Sequence, residues 1–93
     1  MIHELLAEGA DNARTGKELC RMLNLTPRDL TAAIERERRQ GKPICASNGR
    51  NPGYYLAANQ REMQQYCESL RHRLKEISET RRACLTSMDK LPL

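Results

Sequence analysis

Residues 25–41, L-T-P-R-D-L-T-A-A-I-E-R-E-R-R-Q-G, spell out a helix with both ends marked. Thr26 is placed to cap a free amide of the first turn. Pro27 then takes the first helical position, where a missing N–H costs nothing. Asp29 faces the positive end of the helix dipole, and Arg36, Arg38 and Arg39 crowd the negative end. Gly41 suits the left-handed residue that closes a helix, and Pro43 blocks continuation. Leu30, Ala33 and Ile34 form a narrow apolar stripe. The wide remaining face carries Arg28, Thr31, Ala32, Glu35, Arg38 and Arg39.

The preceding segment constrains how this helix is used. T-G-K-E at 15–18 is a capping box: Thr15 caps forward and Glu18 reaches back to the Thr15 amide. Leu19, Cys20 and Leu23 then recur at helical spacing up to a stop near Asn24. Two capped helices with a short join are the pattern of a helix-turn-helix, and equally of a hairpin in a small helical bundle. Ahead of them, Ile2, Leu5 and Leu6 share one face of an expected short first helix ended by Gly9.

Residues 44–56 favour the helix-turn-helix. Ile44, Cys45, Tyr54, Tyr55 and Leu56 are strand formers flanking N-G-R-N-P-G, a run of turn residues. This predicts a β-hairpin with Arg50 at its tip. The expected order is helix, helix, helix, hairpin: a mainly α chain with a small β-hairpin.

Over residues 15–57 the chain resembles the winged helix-turn-helix at the N-terminus of biotin-repressor-type regulators, also found in small phage and prophage proteins. The matching pieces are T-G-K-E-L-C-R-M-L for the bracing helix, N-L-T-P-R-D-L-T-A-A-I for the turn and recognition helix, and N-P-G-Y-Y-L-A for the end of the wing. The resemblance implies double-stranded DNA binding, with the recognition helix in the major groove and the hairpin as a wing. Glu37 departs from it, falling where such domains place a large apolar residue. Either the last turn packs loosely or Glu37 pairs with a basic side chain.

Asn59 opens the final element with another capping box, N-Q-R-E. Met63, Cys67, Leu70, Leu74, Ile77, Cys84, Met88 and Leu91 then recur at alternating steps of four and three, with Arg81 in the one vacant place. This is a heptad pattern. It predicts a helix of about 27 residues, roughly 40 Å long. Its seam needs a partner: a second copy, giving a homodimer, or this chain's own domain if the helix folds back. The expected division is a winged domain over 1–58 and a dimerisation helix with a short tail over 59–93.

Composition narrows the function class. With 93 residues, no Phe or Trp and three Tyr, the core must be built mostly from Leu, Ile, Ala, Met and Cys. No apolar run reaches membrane-span length and no signal peptide opens the chain, so a cytoplasmic protein is expected. Cys20, Cys45, Cys67 and Cys84 are widely spaced with no C-x-x-C, so reduced thiols are expected and no metal or cofactor. His3 and His72 are far apart, and no nucleophile, base and acid stand at recognisable spacing, so no enzymatic activity is expected.

The formal charge is +4, of which residues 26–50 hold +3. Thr26, Arg28, Thr31 and Ala32 are placed to meet base edges, and Glu35 lies on the same DNA-facing surface. Lys17, Arg38, Arg39, Lys42 and Arg50 are placed to meet phosphates. The reading is a dimeric, DNA-binding regulator or phage DNA-transaction protein. The alternative is a protein-binding adaptor on the same scaffold, kept open by Glu35, Glu37 and the modest net charge.

Overall fold

Three side-chain caps set where the helices begin. In the computed structural model, which describes Met1–Leu93, Thr15 Oγ1 accepts the Glu18 amide at 3.1 Å and opens α1 (Gly16–Leu23). Thr26 Oγ1 accepts the Asp29 amide at 3.1 Å and opens α2 (Pro27–Arg39). Asn59 Oδ1 accepts the Glu62 amide at 3.0 Å and opens α3 (Gln60–Ser87). Each cap satisfies an amide that the helix itself cannot. The reciprocal half of the Thr15 box does not form; the Glu18 carboxylate lies 3.7 Å from Arg14 Nε instead. Asn24, left-handed at φ 54°, ends α1. Gly41, at φ 94°, ends α2, where the Lys42 amide bonds the Glu37 carbonyl at 3.0 Å and the Gly41 amide bonds the Arg38 carbonyl at 2.9 Å. This is the paired closure that a glycine in this position permits.

The expected first helix does not form. Residues His3–Leu5 and Ala10–Asn12 make single 3-10 turns. Between them the chain runs beside the hairpin: the Gly9 amide donates to the Leu56 carbonyl and the Leu56 amide to the Ala7 carbonyl, both at 2.9 Å. Pairing with a strand outweighs helix formation in a segment too short to sustain a helix alone. Ile2 and Leu6 still reach the core, four residues apart as the sequence pattern requires.

The hairpin comprises β1 (Ile44–Ser47) and β2 (Gly53–Leu56), antiparallel, with Ile44 opposite Leu56 and Cys45 opposite Tyr55. Arg14 exchanges two 2.8 Å backbone bonds with Tyr54, so the N-terminal segment covers the outer edge of β2. Gly53, at φ 137°, is required there, because a Cβ would lie 2.4 Å from the Arg14 carbonyl oxygen.

Both faces of the hairpin are buried. On one side Ile44 joins Ile2, Leu6, Leu19, Leu30, Ala33 and Ile34, with Tyr54 and Leu56 packed against them. On the other, Cys45 and Tyr55 meet Tyr66 of α3, with Met63 packed alongside. Burial pushes the Cys45 thiol up, with the nearby Tyr55 acting against it, so this cysteine remains protonated as a core residue. The folded core therefore continues past residue 58 into the first turns of α3. Met63, expected in an intermolecular seam, is spent within the chain.

Beyond Tyr66 every residue of α3 is exposed. The helix does not fold back; it projects, and the molecule extends 51 Å along its longest axis. The 28 residues of α3 span about 42 Å. Leu74 is 67% and Ile77 65% exposed, with Leu70, Met88 and Leu91 also uncovered. No helix is long and apolar enough to cross a membrane.

Candidate nucleic-acid interface

The outward face of α2 is set by its buried one. Leu30, Ala33, Ile34 and Glu37 face the core. Helical spacing then puts Arg28, Ala32, Glu35 and Arg39 in one row on the opposite side, and all four are exposed. Arg36, four residues after Ala32 and three before Arg39, borders the row and is also exposed. Arg28 and Arg36 form no ion pair, whereas Arg39 approaches Glu35 only to 4.0 Å. A pair this exposed contributes little and yields readily to a competing anion. The charge pattern of the sequence marks Arg36 only as a cation at the helix end. Its spacing from Ala32 and Arg39 is the signal that places it beside this surface.

The two threonines are partly committed. Thr26 Oγ1 accepts the Asp29 amide, and the Thr31 hydroxyl donates to the Pro27 carbonyl at 3.0 Å. Both residues are exposed near the helix N-terminus. Lys17 is exposed on the first turn of α1, and Lys42 is half-buried after α2.

The hairpin loop, residues 48–52, is held at both ends. The Gly49 amide bonds Ser47 Oγ at 3.2 Å. Asn51 Nδ2 donates to the carbonyls of Asp11 at 2.7 Å and Ala10 at 3.3 Å. Arg50 stands between these anchors, exposed and without an ion pair, the sole charged residue of the loop.

One basic and one acidic residue of α2 turn away from the outward face. Arg38 is not on the outward face. Its Nε donates to the Ile44 carbonyl at 2.9 Å, its guanidinium lies 5.0 Å from the Tyr66 ring centre, and Nη2 is buried without a partner. Arg38 thus ties α2, β1 and α3 together and is removed from the phosphate-contacting set. Glu37 is not in a loosened turn; it takes the other alternative, with the His3 imidazole as its side-chain partner. Its Oε2 accepts the Ile2 amide at 2.8 Å, and its Oε1 accepts the His3 amide at 2.9 Å and lies 2.7 Å from His3 Nδ1. It is 5% exposed and belongs to the core rather than to any ligand-facing surface.

Burial works to raise the Glu37 carboxyl, but the His3 and Ile2 hydrogen bonds outweigh it and hold the group below the ordinary glutamate value of 4.5. Glu62 is lowered too, by the amides of Ala58 and Ala10 at 2.8 and 3.1 Å. A carboxyl depressed by folding contributes stability above its unfolded value and loses it as pH falls through its folded value. Urea unfolding should accordingly give a constant midpoint from pH 7 to about 5 and a falling one below pH 4.5. A midpoint unchanged at about pH 3 would contradict these bonds.

No known protein family, curated protein or solved structure matches the chain.

Proposed function

We propose that this protein binds double-stranded DNA as a winged helix-turn-helix, with α2 as recognition helix and the 48–52 loop as wing tip. The supporting observation is the uncovered row of Arg28, Ala32, Glu35 and Arg39, bordered by Arg36, on a helix braced from behind by α1. Arg28 and Ala32, nearest the α2 N-terminus, are the base-reading candidates: a guanidinium suits guanine and a methyl suits thymine. Arg36, Arg39, Lys42, Arg50 and Lys17 supply phosphate contacts. Dimerisation through α3 would present two such units to paired half-sites, as a regulator or a phage-type DNA-transaction protein requires. The adaptor alternative loses one support, since Glu37 faces inward, and keeps Glu35 and the modest net charge.

Amide chemical-shift mapping with a random-sequence duplex at low salt tests the interface. Shifts should concentrate at residues 26–40 and 48–52. Shifts confined elsewhere, or none, would favour the adaptor.

The dimer has its own test. Leu70 and Leu74 touch neither core cluster. Leu70→Glu with Leu74→Glu should therefore yield a folded monomer by light scattering and circular dichroism. A wild-type protein already monomeric at the same concentration would contradict the dimer.

A further inference from the structure

The uncovered seam of α3 has arginines beside it and no acidic residue. At about 100° per residue, Leu70, Leu74, Ile77, Cys84 and Met88 fall within an arc of about 80°. Arg81 lies inside that arc, Leu85 at one edge and Arg73 just beyond the other. Glu68, Glu76 and Glu79 all fall within about 60° of the opposite direction. Arg71 approaches Glu68 at 3.6 Å, whereas Arg73 and Arg81 form no ion pair. Met63 and Tyr66 point the same way as the seam and are covered by the hairpin. The free stretch therefore runs from Leu70 to Met88, about 27 Å.

From this asymmetry we infer that the seam docks an amphipathic helix of another protein, one whose own apolar stripe is flanked by Glu or Asp. The inference shares with the proposed dimer the reading that this seam is an interface. It names a further occupant, which displaces the second copy.

A second copy covers the apolar residues but presents the same face. Turned either way, it brings only Arg73 and Arg81 to the contact, and like charges across a helix pair are unfavourable. An acidic partner removes that conflict. The Arg81 stem lies along the partner's apolar stripe while its guanidinium leaves toward a flanking carboxylate. Arg73, at the flanking position, meets another. Exposed pairs of this kind add little affinity; they choose the partner. A helix suits this face better than a lipid surface does. The 4-3 spacing is that of a helix pair, and the face has no Phe or Trp to seat in a membrane interface.

The probe is a three-heptad peptide with Leu at both seam positions and Glu at both flanking positions; its twin carries Lys in place of Glu. Titrated into the labelled full chain and followed by fluorescence anisotropy, the Glu peptide should bind on the order of 10-fold more tightly than the Lys peptide. Arg73→Glu combined with Arg81→Glu should reverse that order. Both residues are exposed and outside either core cluster, so circular dichroism should be unchanged. Lys75→Glu with Arg82→Glu, the same change in charge away from the seam, should leave the order as it was. By light scattering, saturating Glu peptide should replace the dimer with a complex of one chain and one peptide. No binding, equal binding of the two peptides, or an order that both double variants reverse or neither does would overturn the inference. Sedimentation with phosphatidylglycerol vesicles that the Glu peptide does not compete away would also overturn it. A dimer that persists at saturating Glu peptide would overturn it while leaving the proposed dimer intact. A chain monomeric by itself that still prefers the Glu peptide would contradict the dimer and uphold the acidic partner.

Discussion

Glu37→Ala should lower the stability of this protein by about 2–4 kcal/mol. For a chain of this size that is a fall of roughly 10–25 °C in Tm. The substitution removes the acceptor of the Ile2 and His3 amides and leaves them against a buried surface. It also releases the segment that delivers Ile2 and Leu6 to the main core. Charge-assisted bonds to backbone amides are worth more than neutral ones, and an orphaned buried donor is costly. Glu37→Gln retains one carbonyl acceptor and should cost less, about 1 kcal/mol. Thermal unfolding by circular dichroism measures both. A loss under about 0.5 kcal/mol for the alanine variant, the range of ordinary surface substitutions, would show that Glu37 does not anchor the N-terminal segment.

Arg28→Glu combined with Arg39→Glu should weaken DNA binding on the order of 100-fold at fixed salt, since each lost guanidinium contact is worth about 1–3 kcal/mol. Both residues are exposed on the outward row, so stability should change by less than about 1 kcal/mol. Arg38→Ala is the informative contrast. It removes the bond to the Ile44 carbonyl and the stack on Tyr66. Its main effect should be a lower Tm, with DNA affinity per folded molecule nearly unchanged. Equal loss of binding from all three substitutions would place the contact surface elsewhere.

Features legible in the sequence are local. The caps at Thr15, Thr26 and Asn59 and the closures at Asn24 and Gly41 depend on residues within a few positions of one another. The hairpin and the length of α3 are legible for the same reason. Apart from Glu18, which turns to Arg14 four residues away, the departures involve partners more distant in the chain. Glu37 is explained by Ile2 and His3, more than thirty residues away. Arg38 is explained by Tyr66, which no periodicity of α2 reveals. Residues 2–9 carry a helix-like spacing, yet Leu56 offers their backbone a better set of bonds. Met63 fits the heptad, but periodicity reports only that a side chain is covered, and here its own hairpin covers it. At the candidate interface, Arg28, Ala32 and Arg39 are legible as one helical row. The loss of Arg38 requires the fold, whereas helical spacing from Ala32 and Arg39 already marks Arg36.

The most direct measurement is fluorescence anisotropy of a labelled duplex titrated with protein across a series of salt concentrations. DNA binding through α2 and the wing predicts that log affinity falls linearly with log salt. Arg39→Ala should reduce the magnitude of that slope by about 0.9, the share of one phosphate contact. No binding at about 50 mM salt, or a slope that Arg28, Arg39 and Arg50 substitutions all leave unchanged, would contradict DNA binding through this surface.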